Sequence, residues 1–336
     1  MNEKILNNIN DVLSNNKNII LIPHSSPDAD ALGSCLGLYH FFKDENNVSI
    51  ISPNEYTDIL NFLPGSKSVI VFDNEKEKST NLLRNADVIF TLDFNSLSRA
   101  RNISNLISKS SAKIIMIDHH ENPDKYADIM ISDSKMSSTC EMVYDFICLL
   151  DKNKINNKIA TCLYTGIVAD TGSFRYPSTT SKTLKAGSEL INYGVNVTEI
   201  FEKLHNNFQF KRLKLLGAAI NNFKKIDGLP VLYTSITDDD QKINSFKKGD
   251  SEGFVNFGLS VTGILCSVLF IEKKDEGLIK ISFRSKGDFK VNIFASRYFS
   301  GGGHEYASGG ISKLSLIETE KKFIQDIKDH IKENYE

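Results

Sequence analysis

Residues 113–120 read KIIMIDHH, a continuous apolar run, largely β-branched, that stops at an acid and two adjacent histidines. Such a run, with no polar alternation, is that of a strand buried on both faces, as in parallel sheets with helices packed on either side. The polar triplet then lies at the strand's carboxyl end. In open α/β sheets ligands bind at that edge, because helices cover the two faces. A histidine doublet alone is a weak signal, since two loop histidines produce the same pattern.

The pattern recurs along the chain. Asn18 to Pro23 (NIILIP) reads as a strand running into HSSPDADALGS, followed by an apolar-periodic helix from Leu32 to Phe42. His24, Asp28 and Asp30 fall in that loop; a capping role for Asp30 on a helix beginning at Ala31 accounts for one of the three. Val88 to Leu92 (VIFTL) is a further strand and ends at Asp93. A helix from Ile155 to Val168 delivers Asp170, where a carboxylate opposes the helix dipole and a ligand role fits better than a structural one. Strands are also expected at Val48 to Ser52, Ser68 to Phe72 and Asp128 to Ile131. Helices are expected at Ile103 to Ser110, Ser137 to Leu150 and Thr183 to Tyr193, the last stopped by Gly194.

A chain of 336 residues exceeds the size at which single cores stop growing, so two domains are expected. The spacing predicts an α/β domain over 1–190 with a doubly wound, mainly parallel sheet, then a helical linker over 191–226. A smaller C-terminal α/β domain follows over 227–336, with strands in VLYTSI, SVTGILCSVLFIE and LIKISFRS, a glycine tract at 301–303 and a closing helix from Leu316 to Tyr335. The first 18 residues, with Ile5, Ile9, Val12 and Leu13 at helical spacing, read as an amphipathic helix and not a signal peptide.

A formal net charge of -2 excludes holding long double-stranded nucleic acid by bulk electrostatics and leaves short anionic ligands open. The five scattered cysteines read as reduced thiols of a cytoplasmic protein. The longest uncharged apolar run, Leu259 to Ile271, is too short for a bilayer, so no membrane partner is expected.

His24, Asp28, Asp30, Asp93, Asp118, His119, His120 and Asp170 thus gather at strand and helix ends. Carboxylate and imidazole without thiolate suit Mn²⁺ or Mg²⁺ better than structural zinc, and five acids exceed the needs of one ion. Two such ions activate water for phosphoester or phosphoanhydride hydrolysis. In the second domain, Arg284 with Ser285 offers a planar fork for phosphate, and consecutive glycines before His304 offer backbone N–H groups without side-chain clash.

PHSSPDADALGS, LDF, IDHH and ADTGSFRY, in that order, together with RSKG and GGGH, resemble the DHH phosphoesterase superfamily with its DHHA1 substrate-binding domain, over nearly the whole chain. The resemblance implies a Mn²⁺-dependent enzyme with its active site in the cleft between the domains. By that resemblance His24, Asp28 and Asp93 hold one ion, and Asp30, Asp93, His119 and Asp170 the other, with Asp93 bridging. Asp118 orients the histidines and His120 faces the scissile phosphate. Arg284, Ser285, Gly302, Gly303 and His304 match the family's substrate-phosphate contacts; Ser300 stands where many members have a further glycine. The size resembles the compact NrnA-like type, which implies short RNAs and 3′-phosphoadenosine 5′-phosphate as substrates, with cyclic di-AMP and pApA as the alternative. Related compact proteins point to a homodimer.

Overall fold

The apolar runs form strands at the expected places. In the computed structural model the chain divides into two units, Met1–Asn207 and Phe208–Glu336, and the structure describes residues 9, 12–13, 16–206, 209–247 and 249–335. Most of the expected first helix, Ile5 included, lies outside the described residues; Ile9 is buried in the core.

Unit 1 runs β1 (Asn18–Pro23), α1 (Ala29–Phe42), β2 (Asn47–Ser52), β3 (Val69–Val71), α2 (Lys76–Arg84), β4 (Val88–Leu92), α3 (Ser104–Ser108), β5 (Lys113–Asp118), β6 (Ile129–Ser132), α4 (Thr139–Asp151), α5 (Asn157–Asp170), α6 (Ser181–Ile191) and α7 (Val197–His205). Its six strands are all parallel, in the order β3-β2-β1-β4-β5-β6. Successive residues of a strand point to opposite faces. Ile19 and Leu21 of β1 and Phe90 of β4 therefore enter a core shared with α1, α4 and α5, while Ile20, Ile22 and Ile89 enter a second core under α2 and α3. Helices on both faces make the sheet doubly wound, and continuous apolarity is the sequence's record of it.

Chain order reverses between β1 and β4, so the loops leaving these two strands diverge and open a crevice at their carboxyl ends. The register aligns Pro23 with Leu92 and Leu92 with Ile117. The residues that follow, His24, Asp93 and Asp118, therefore stand in one row at that edge.

α1 and α5 pack closely because glycines face the contact. A Cβ on Gly166 would lie 2.2 Å from Cys140 Sγ and 2.9 Å from the Asp30 carboxylate. Asp30 and Asp170, on different helices, are thereby brought to one place. The expected cap is corrected: α1 begins at Ala29, and Asp28 caps it by accepting the N–H groups of Asp30 and Ala31. Asp30 lies inside the first turn and its carboxylate is free for another partner.

Unit 2 contains α8 (Phe210–Asn221), β7 (Lys224–Lys225), β8 (Val231–Ile236), α9 (Asp238–Ile243), α10 (Asn256–Leu259), β9 (Cys266–Lys273), β10 (Leu278–Ser285), α11 (Val291–Tyr298), β11 (Gly302–His304), β12 (Ala307–Ser312) and α12 (Leu316–Tyr335). Its sheet, β11-β12-β10-β9-β8-β7, is antiparallel except for the β8–β9 pair. The expected strand beginning at Ser260 starts instead at Cys266, because Gly263 at φ +79° turns the chain first. The glycine tract is not a free loop: Gly302 to His304 pair with β12 as an edge strand. A Cβ on Gly301 would meet the Gly309 carbonyl oxygen at 2.1 Å, so backbone packing requires that glycine. Among the described residues no helix is long and apolar enough to cross a membrane.

Phe90 is fully buried between Phe42 of α1 and Phe146 of α4, with ring centroids 5.7 and 6.1 Å away. Phe90→Ala should cost about 3–5 kcal/mol of unit 1 stability, seen as a lower urea midpoint with an unchanged slope.

Candidate active site

Asp93 follows β4 with φ +66°, a left-handed conformation that Asp tolerates better than most residues. That turn places its carboxylate between two groups of donors. Oδ2 lies 3.5 Å from His24 Nε2, which is 3.6 Å from Asp28. Oδ1 lies 3.5 Å from His119 Nε2, which is 3.4 Å from Asp170 and 4.0 Å from Asp30. His24, Asp28 and Asp93 form one set of donor atoms close enough to share an ion; Asp30, His119 and Asp170 form another, and Asp93, His119 and His120 a third.

Two residues with no clear sequence signal hold this arrangement. The Asp30 carboxylate accepts the N–H groups of Thr139 (2.7 Å) and Cys140 (2.8 Å), at the N-terminus of α4 where the helix dipole favours an anion. The Thr139 hydroxyl donates to Asp93 Oδ1 at 2.9 Å. The one hint in the sequence is the Ser137-Ser138-Thr139 cluster before an apolar-periodic segment, a start signal for the helix that Ser138 caps. Arg99 is the second residue that sequence reasoning missed. It lies in the 3₁₀ turn Leu97–Ile103 beyond β4, with Nη1 2.9 Å from His120 Nε2.

Each of the three histidines is fixed through Nδ1. The Ser25 carbonyl binds His24 Nδ1 at 2.9 Å and the Met136 carbonyl binds His119 Nδ1 at 3.3 Å, which leaves both Nε2 atoms facing carboxylates. Metal-binding histidines are oriented in this way. Asp118, fully buried, binds His120, with Oδ1 2.7 Å from Nδ1 and Oδ2 accepting the His120 N–H at 3.1 Å, and among the described residues its carboxylate binds no other side chain. The expected orienting contact of Asp118 thus reaches one histidine of the pair.

The electrostatics suit a cation. Burial alone would lower His24, yet the Asp28 and Asp93 carboxylates raise it to about 10. Burial opposes protonation of His119 as well, and Asp93 and Asp170 outweigh it. Burial pushes Asp30 well above the carboxylate range, reinforced by the charges of Asp93 and Asp170. Asp170 is pushed up to about 7 by burial, against His119 and with Asp93 and Asp28. Burial also pulls Asp93 upward, but His24, His119 and His120 hold it below the ordinary range. Protons must neutralise this cluster when nothing else does. The 3.4–3.6 Å separations are too long for good hydrogen bonds. They are close to the roughly 3.0–3.5 Å between two donors that share an ion about 2.1 Å from each. The residues fit divalent cations with oxygen and imidazole ligands.

In unit 2, Arg284 of β10 and His304 of β11 both pair with Ala307 of β12. They share a face of the sheet two strands apart, about 10 Å, opposite the core side that Phe283 enters. Gly302, Gly303 and His304 are exposed. Ser285 is buried and its hydroxyl has no hydrogen-bond partner among the described residues. Ser300 takes φ +47°, and the Gly301 N–H is used by the Ala295 carbonyl oxygen.

His24, His119, Asp30 and Asp170 all bind protons more tightly folded than unfolded, so without a cation stability falls as pH rises. The His24 share, complete below about pH 6.5, is lost on approach to about pH 10. In chelator, Tm should fall from about pH 7 to about pH 9, and saturating divalent cation should raise Tm most at the upper end. A Tm indifferent to Mn²⁺ and Mg²⁺ in calorimetry would remove these residues as a metal centre.

The chain matches two family models, the N-terminal domain of the DHH family over residues 18–167 and the DHHA1 domain over 242–333. It is 33% identical to the bifunctional oligoribonuclease and PAP phosphatase NrnA of Bacillus subtilis, over 87% of this chain and 88% of the relative. The crystal structure of an exopolyphosphatase-related protein from Bacteroides fragilis superposes with a TM-score of 0.95 at 36% identity, over 98% of this chain and 97% of that one. RecJ from Thermus thermophilus, solved in complex with Mn²⁺, shares the fold at a TM-score of 0.56 and 11% identity, over 96% of this chain and 54% of its own. With its ordered motifs, its doubly wound sheet and a relative matched over most of both lengths, the chain belongs to the DHH–DHHA1 family of phosphoesterases.

Proposed function

We propose that this phosphoesterase hydrolyses short oligoribonucleotides and 3′-phosphoadenosine 5′-phosphate with a pair of divalent cations, Mn²⁺ foremost. His24, Asp28 and Asp93 would hold one ion, and Asp30, Asp93, His119 and Asp170 the other. The observation that carries the reading is Asp93, whose two carboxylate oxygens face two separate donor sets. The substrate class is supported by the name of the Bacillus relative and by a net charge of -2, which disfavours long nucleic acid.

The ions would neutralise the phosphoryl group and acidify the attacking water near neutral pH. The chain's own residues do the positioning. Thr139 fixes the Asp93 carboxylate, and the amides of Thr139 and Cys140 fix Asp30. Asp118 keeps the His120 ring turned so that Nε2, and not Nδ1, is presented. In unit 2, the guanidinium of Arg284, the exposed backbone of Gly302 and Gly303, and His304 are the groups suited to a nucleotide phosphate. Ser285 contributes only if its buried hydroxyl becomes accessible.

Purified protein with Mn²⁺ should hydrolyse RNA dimers to pentamers and 3′-phosphoadenosine 5′-phosphate faster than cyclic di-AMP, pyrophosphate or long single-stranded DNA. Rapid turnover of the cyclic dinucleotide alone would replace the substrate assignment. Asp93→Asn retains tolerance of the left-handed backbone and should lower kcat by at least about 10³-fold, several kcal/mol of barrier; near-normal turnover would dismiss the bridging role.

A further inference from the structure

His24 and His119 turn Nε2 toward carboxylates; His120 turns it toward a cation. A guanidinium has no acceptor, so His120 Nε2 must accept from Arg99 while Nδ1 carries the proton shared with Asp118. This side of the edge is the opposite of a metal pocket, since the Arg99 charge repels a cation approaching His120 Nε2.

Arg99 stands beside a cluster rich in carboxylates and pairs with none of them. Among the described residues no acid lies within ion-pair distance of it, and its single side-chain contact, to His120, uses one of its five donors. The position is held by the backbone: the Arg99 carbonyl oxygen accepts the Ser25 N–H at 2.8 Å, which ties the loop after β4 to the loop after β1 across the switch point. A half-buried guanidinium with spare donors, fixed by its main chain beside His120, is suited to an anion that arrives from outside.

The geometry points to Arg99 as the residue that grips the phosphoryl oxygens of the substrate, as a two-pronged guanidinium–phosphate pair, releasing His120 Nε2 to face the same phosphate. The inference rests on the phosphoester-hydrolase reading of this edge and names the group that recognises the reacting phosphate. His120 Nε2 takes one of the guanidinium donors that the phosphate would use. Lysine is no substitute, because it keeps the charge and loses the planar fork.

The test uses the full chain with Mn²⁺ and inorganic phosphate as the probe, measured by calorimetric titration, alongside kcat and KM for 3′-phosphoadenosine 5′-phosphate. Arg99→Met should weaken phosphate binding about 10- to 100-fold and lower kcat/KM by about 10²-fold or more, with Mn²⁺ binding and Tm close to wild type. Arg99→Lys should recover only part of the loss. Phosphate binding by Arg99→Met within about twofold of wild type overturns the inference. Should that variant not fold, Arg99→Lys decides alone, an unchanged phosphate Kd overturning it. A wild-type chain that hydrolyses no nucleotide yet binds phosphate through Arg99 would refute the proposed function and leave this inference standing. An active chain whose Arg99→Met variant binds phosphate normally does the reverse.

Discussion

The candidate site depends on one buried contact, the Asp30 carboxylate against the first two amides of α4. Taking a carboxylate fully out of water is costly, and a helix N-terminus supplies two aligned donors and a favourable dipole in return. The contact joins residues 109 and 110 positions apart. It fixes Thr139, Thr139 fixes Asp93, and Asp93 stands between the donor sets. Without the first contact Thr139 loses the anchor that sets its hydroxyl against Asp93, while the strand register still holds His24, Asp93 and Asp118 in a row.

The apolar strands declared themselves in the sequence because a parallel sheet covered on both faces needs uninterrupted hydrophobicity. Their carboxyl ends declared His24, Asp93 and the Asp118–His120 triplet for the same reason. Asp28 and Asp30 were legible as a pair, yet their roles could not be divided until the start of α1 was known; a two-residue shift, from Ala31 to Ala29, moved the cap from Asp30 to Asp28. Thr139 and Arg99 were illegible for different reasons. Thr139 acts through a contact distant in sequence, and propensity says nothing about such pairs. Arg99 sits in a 3₁₀ turn with no periodicity, six residues past the acid it accompanies.

Unit 2 shows the opposite kind of error. Consecutive glycines suggest a loop, because glycine weakens strands. Here they form an edge strand, since Gly301 lies so close to the Gly309 backbone that a side chain has no room. As the last strand in the order of its sheet, β11 has a neighbouring strand on one side only among the described residues. Arg284 turns outward because Phe283 beside it enters the core, and His304 shares its face through the common partner Ala307.

The close packing of α1 on α5 has a further meaning for how such a site changes over time. Asp30 and Asp170 belong to different helices, and the gap between them is set by Gly166, where no Cβ fits. The glycine therefore acts as a gauge for the spacing of these two carboxylates. Enlarging the residue there would widen the gap with both carboxylates still present. The geometry of the site can thus drift through helix spacing, in positions that an inventory of its polar groups would pass over.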